Sequence, residues 1–144
     1  MIRLSKLGRN IQVRATAQAL VGGAIEVYDE PRYPDNADDP VVDAAKLLLR
    51  AELPDNFSIE GNTLVFKGIA ETRIAAQGTP KRFRVLTKDG VVVFDGACGA
   101  DEDGDDMILK RDDGGAMFYP GMRVQLDELR HTLTFEEIDT MSQL

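Results

Sequence analysis

Asp101, Asp103 and Asp105 alternate along a short acidic run, and Asp112 stands twelfth counting from Asp101. Alternating carboxylates are what a hard cation such as calcium takes from a single loop. An EF-hand loop, however, needs glycine at its sixth position and a helix on either side. Here Gly104 is fourth, and the flanking residues read as strands. The expectation is a solvated acidic loop, with Asp101, Asp103 and Asp105 as the cation-holding residues of the competing reading. Cys98 and His131 are the only thiol and the only imidazole in the chain. Such a pair does nucleophilic chemistry only when the two touch and a third group orients the base. His131 lies in an alternating run, where a partly buried structural histidine is the commoner outcome, so both are expected to be dispensable. Tyr28, Tyr33 and Tyr119 are the candidates for a sugar-stacking platform, although scattered tyrosines more often serve the core and rim. The 25 acidic residues offer many carboxylate pairs, but none in a hydrolase motif. Phosphate-cradling glycine loops and metal-ligand spacings are missing. No catalytic residue and no cofactor are expected.

Composition narrows the partners. The chain has 144 residues, 43% hydrophobic and 29% charged, which suits one folded domain with a real core. Its 17 basic and 25 acidic residues give a formal charge of −8, which repels phosphate backbones and argues against nucleic acid. Lys81-Arg82-Phe83-Arg84 is the only basic cluster, and it reads as a solvated strand face. With Cys98 alone, no intramolecular disulfide forms. Arg3, Lys6, Arg9 and Arg14 interrupt the N-terminal segment, which therefore reads as neither a signal peptide nor a membrane span. Folding in the cytoplasm of the producing cell is expected.

The elements that position these residues follow from local pattern. Leu4, Leu7, Ile11, Ala15 and Ala19 fall on one stripe at helical spacing, with Ser5 to cap the start and Gly22-Gly23 to end it. That apolar stripe is expected to pack. Residues 24–28 alternate and read as a strand. The next segment, 29–43, holds Pro31, Pro34, Pro40 and six acidic residues and reads as a loop. Residues 46–53 fit helix or strand, with strand favoured. Residues 58–66 read as a hairpin around Gly61-Asn62, and residues 71–76 as a weaker strand. Phe83 to Gly96 is the strongest signal in the chain: two β-branched and aromatic runs flank Asp89-Gly90. Residues 107–110 read as a short strand and 112–115 as a turn. Residues 122–135 read as one last strand whose alternation slips phase, which a β-bulge near Asp127-Glu128 would produce. Short strands broken by turns, without a βαβ rhythm, argue for a sandwich.

Several segments together resemble a known family. Gly22-Gly23-Ala24-Ile25-Glu26-Val27-Tyr28 leads into the Pro-rich acidic loop. Leu47-Leu48-Leu49-Arg50-Ala51-Glu52-Leu53 follows, then Phe83 to Gly96 with its Asp-Gly turn and Val-Phe-Asp-Gly exit, then the Gly-opened run from Gly121 to Phe135. This order of parts resembles a family of small virion-associated proteins encoded by tailed phages and prophages. The charged segment Asp101 to Asp106 departs from that pattern, which tends to Gly, Ser and Asn there, and the chain after Phe135 looks like an extension. The resemblance implies a virion component and carries no catalytic residues with it.

The reading is a mainly β protein: an antiparallel β-sandwich with one N-terminal α-helix and a C-terminal tail. It forms a single domain over 1–144, with the helix in 1–21, the sandwich in 24–135 and the tail in 136–144. The expected function is a non-enzymatic, multi-copy structural component of a tailed-bacteriophage virion. It would dock on the capsid, as a decoration or minor head protein, or on the neck or tail. Its partners would be major capsid or neck and tail proteins and further copies of itself, with no nucleic acid and no membrane. Leu4, Leu7 and Ile11 of the helix, and Ile138, Met141 and Leu144 of the tail, are the candidate contact residues. The competing reading is a carbohydrate-binding or calcium-dependent adhesion module of the same architecture.

Overall fold

Ser5 opens the only helix of the described residues by accepting, through its Oγ, a hydrogen bond of 3.0 Å from the Gly8 amide. The computed structural model describes residues 3, 5–30, 32, 34–37, 39–41, 45–101, 104–109, 111, 113–126 and 128–132. Helix α1 (Lys6–Leu20) ends where Gly22 takes a left-handed φ of +74° and Gly23 donates its amide to the Leu20 carbonyl at 2.9 Å. Gly23 then turns the chain directly into the sheet. A Cβ at this position would lie 2.0 Å from the Leu86 carbonyl oxygen, so only glycine fits.

Ten strands follow among the described residues: β1 (Ala24–Tyr28), β2 (Leu47–Glu52), β3 (Ser58–Glu60), β4 (Thr63–Lys67), β5 (Thr72–Arg73), β6 (Arg82–Leu86), β7 (Val92–Gly99), β8 (Met107–Ile108), β9 (Arg123–Val124) and β10 (Glu128–Thr132). They form a five-stranded sheet in the order β2-β1-β6-β7-β8, a three-stranded sheet β10-β4-β3 and the pair β5-β9. Pairing is antiparallel except between β7 and β8, which run parallel. The β6–β7 hairpin turns at Lys88-Asp89-Gly90, with Gly90 at φ +86° and Thr87 donating its amide to the Val91 carbonyl at 2.8 Å.

The two main sheets and α1 share one apolar core. Ile25 and Val27 from β1, Phe83 and Val85 from β6, and Leu49 and Ala51 from β2 belong to it. So do Leu64 and Phe66 from β4, and Leu129 from β10. All five residues of β1 are buried, as expected for a strand paired on both sides with both faces covered. The outer edge of β2 is capped in turn, since Ala75 donates its amide to the Leu48 carbonyl at 2.7 Å.

Three expectations are corrected. First, the helix packs through Val13, Ala17 and Leu20, spaced i, i+4, i+7. The stripe read from the sequence is the outer one: Leu7 is 69% exposed, Ile11 is 58% exposed, and Ala15 and Ala19 are also exposed. The helix carries apolar residues on two sides, and periodicity does not say which side finds the core. Second, the run 122–135 is not one bulged strand: β9 pairs with β5, whereas β10 pairs with β4 in another sheet. Third, Arg82 is not on a solvated face but 1% exposed. The tail 136–144 and the segment 133–135 lie outside the described residues.

Candidate functional site

Cross-strand register sets charged side chains in a row on one face of the large sheet. Glu26 on β1 sits opposite Arg50 on β2 and Arg84 on β6, and Arg84 sits opposite Asp95 on β7. The row therefore reads plus, minus, plus, minus across four strands, which is the favourable arrangement for directly opposed side chains. Arg50 donates to Glu26 Oε2 at 2.8 Å, and Arg84 Nε donates to Glu26 Oε1 at 3.3 Å. The Tyr28 hydroxyl donates to the same Oε1 at 2.8 Å, under the Arg84 guanidinium, which lies 5.6 Å from the ring centroid. Burial, followed by the bond to Glu26, raises the Tyr28 pKa above its usual value. One step along, Arg82 Nη2 donates to Asp95 Oδ2 at 2.7 Å.

The same arginines hold the Pro-rich loop. Arg82 Nη1 donates to the Arg32 carbonyl at 2.9 Å, and Arg84 Nη1 to the Asp39 carbonyl at 3.4 Å. The Glu26 carboxylate, bonded by two guanidiniums and a phenol, holds β1, β2 and β6 together. Charged residues set among apolar ones in these strands, Glu26 in β1 and Arg84 in β6, are visible in the sequence, but their partners across the sheet are not.

A cleft of about 630 Å³ opens where β10 meets β7 and β8. Phe83, Phe94, Leu109, Leu126 and Leu129 supply its apolar lining, and Asp106, Arg111, Glu128, Arg130 and His131 its polar groups. His131 stacks on Phe94 with centroids 4.0 Å apart, and Phe83 meets Phe94 edge-on at 6.3 Å. Burial pushes the imidazole below its ordinary pKa, partly offset by the Asp106 carboxylate, so the ring is neutral at neutral pH. Both arginines are ion-paired: Arg111 with Asp113, and Arg130 with Glu60 and Glu128 at 2.6 and 3.0 Å. The size and mixed lining are those of a binding cleft.

The residues singled out from sequence fall elsewhere. Cys98 is buried, and burial together with nearby Asp105 pushes its thiol up to about 12, far from a reactive thiolate. It lines a separate depression of about 240 Å³, and among the described residues no hydrogen bond joins it to His131. In the acidic loop, Asp105 Oδ2 accepts from the Asp101 amide at 2.9 Å, and Asp106 Oδ2 from the Ala97 amide at 2.9 Å. Asp105 thus braces its own loop, and Asp106 ties the loop to β7. Asp103 lies outside the described residues, among which no group of His, Cys, Asp and Glu converges to hold a metal. Tyr28 is buried and Tyr119 exposed, while Tyr33 lies outside the described residues. Of the contact candidates, Leu7 and Ile11 are on the surface, whereas Leu4, Ile138, Met141 and Leu144 lie outside the described residues. No described helix is long and apolar enough to cross a membrane.

In comparison with known proteins, the chain matches no family model, and no curated protein or solved structure is significantly similar to it.

Proposed function

We propose that this protein is a non-enzymatic structural component of a tailed-phage particle. It is made in the host bacterial cytoplasm and incorporated in many copies, as a capsid decoration or minor head protein or at the neck or tail. The observation that carries the reading is the outer face of α1, where Leu7 and Ile11 stand 69% and 58% exposed one helical turn apart. Apolar side chains so placed gain little in an isolated molecule and more at an interface. Two further features support it. The strongest charge constellation, around Glu26, is consumed in bracing the sheet and the Pro-rich loop. The thiol is buried with a pKa of about 12, and no acid–base partner bonds to it among the described residues. The order of sequence segments, which resembles virion-associated proteins, supplies the setting.

Docking through surface suits such a role, since repetition on a lattice turns modest single contacts into firm attachment. The partners are then major capsid or neck and tail proteins and further copies of this chain, with neither nucleic acid nor membrane engaged. The test is fractionation of particles from the producing cells on a density gradient. The protein should band with the particles, and deletion of residues 136–144, which carry Ile138, Met141 and Leu144, should lower its amount there. A protein left wholly in the unsedimented fraction would refute the role.

A further inference from the structure

Two sheet edges face one gap in this molecule. β10 is the outer strand of the three-stranded sheet and β8 of the five-stranded one, and among the described residues neither pairs on its far side. The cleft of about 630 Å³ lies between these edges. Met107, Ile108, Leu126 and Leu129 are in its lining, and Ile108 is 38% exposed. Its ionised side chains balance, with Asp106 and Glu128 beside Arg111 and Arg130, and His131 is neutral. Such a surface has no net charge with which to draw a distant partner. What it offers is apolar area between two strand edges.

The chain itself brings one segment to it. Leu129 and His131 line the cleft, and Leu133 and Phe135 extend the same alternation along the sequence. β10 ends at Thr132 among the described residues, so the chain that follows leaves from the wall of the cleft. Farther on, Ile138, Met141 and Leu144 recur every third residue, the spacing of a row on one side of a helical turn. From Thr132 to Ile138 the chain reaches about 20 Å when extended. The five residues of β10 span about 17 Å. The row can therefore return along the whole of the strand.

We propose that residues 133–144 cover this cleft within the same molecule, seating Ile138, Met141 and Leu144 on its apolar lining between β10 and β8. Tethering selects this occupant. A segment joined to its site by a few residues meets it at an effective concentration on the order of millimolar, whatever the protein concentration. A separate partner, with no net charge to steer it in, has no such advantage. The contact belongs to the isolated molecule and goes beyond the particle role proposed above. Where that role holds, docking has to draw the same three side chains out of the cleft.

The experiment needs no particles, so its failure stays distinct from failure of the particle role. The full chain carrying Ser142→Cys is spin-labelled near neutral pH, where buried Cys98 stays unreactive. The amide signals of Ile108, Leu126 and His131 should be strongly broadened. Those of Arg50 and Glu52 on β2, at the opposite edge of the large sheet, should keep their intensity. Ile138→Asp with Met141→Asp in the labelled chain should restore the cleft signals, with Arg50 and Glu52 unmoved as the sign of an intact fold. In a mixture of labelled chain with isotope-enriched, unlabelled chain, the enriched copy should show no broadening. Cleft signals that stay sharp, or broadening that survives both substitutions, would overturn the proposal. So would broadening of the enriched copy, which would make the occupant a segment of a second chain.

Discussion

His131 of β10 lies flat on Phe94 of β7, with ring centroids 4.0 Å apart and planes within 12° of parallel. This stack ties the three-stranded sheet to the five-stranded sheet at the cleft. It is formed by a neutral imidazole, since burial lowers the His131 pKa below its reference value of 6.5, with Asp106 acting weakly against the shift. A histidine whose pKa is lower folded than unfolded binds more protons when unfolded. Its contribution is present above the unfolded value and is lost as pH falls through the folded one. Melting temperature should therefore fall on acidification from about pH 7.5 to about pH 5. His131→Phe, which keeps a ring on Phe94, should flatten that slope, and an unchanged slope would show that other groups set it.

Arg82 carries the next prediction. Its side chain is 1% exposed and bonded both to Asp95 and to the Arg32 carbonyl of the Pro-rich loop. Arg82→Ala leaves Asp95 without its cation in a largely buried site and should cost about 3–5 kcal/mol in denaturant unfolding. It should also speed protease cleavage within 29–46. Removing the exposed Arg123, paired with Glu71 at 3.4 Å, should leave the unfolding midpoint almost unmoved.

Cap and turn signals in the sequence carried through to the structure, whereas readings that depend on which face or which partner strand is found did not. The Ser5 cap, the Gly61 and Gly90 turns and the strand at 24–28 depend on neighbours a few residues apart, and all four are in place. The row Arg50-Glu26-Arg84-Asp95 depends on β1 lying between β2 and β6, which no local pattern states. The same holds for the partner of His131: an alternating run marks it as half-buried, but Phe94 arrives from another sheet. Val13, Ala17 and Leu20 and the opposite stripe of Leu7 and Ile11 are alike in periodicity. Only the tertiary contact separates them. Residues 122–135 alternate as one strand would, yet β9 and β10 find partners in different sheets.

Gly23 is a position where the backbone leaves no room. A Cβ there would meet the Leu86 carbonyl oxygen at 2.0 Å, between helix end and first strand. Gly23→Ala should destabilise the fold by about 1–3 kcal/mol or more, read as a lowered denaturation midpoint.

Cys98 tests the absence of thiol chemistry. Buried and with a pKa near 12, it should react negligibly with a thiol-selective reagent near neutral pH in the native protein, and fully in denaturant. Rapid native labelling would contradict the burial.

The proposed role puts this protein at repeated sites in a phage particle. Cryo-electron microscopy of purified particles tests it most directly. A density the size of this domain is expected at many symmetry-related positions on the head, neck or tail, lost in particles made without the gene. Particles from wild-type and deleted strains with identical density maps would contradict it.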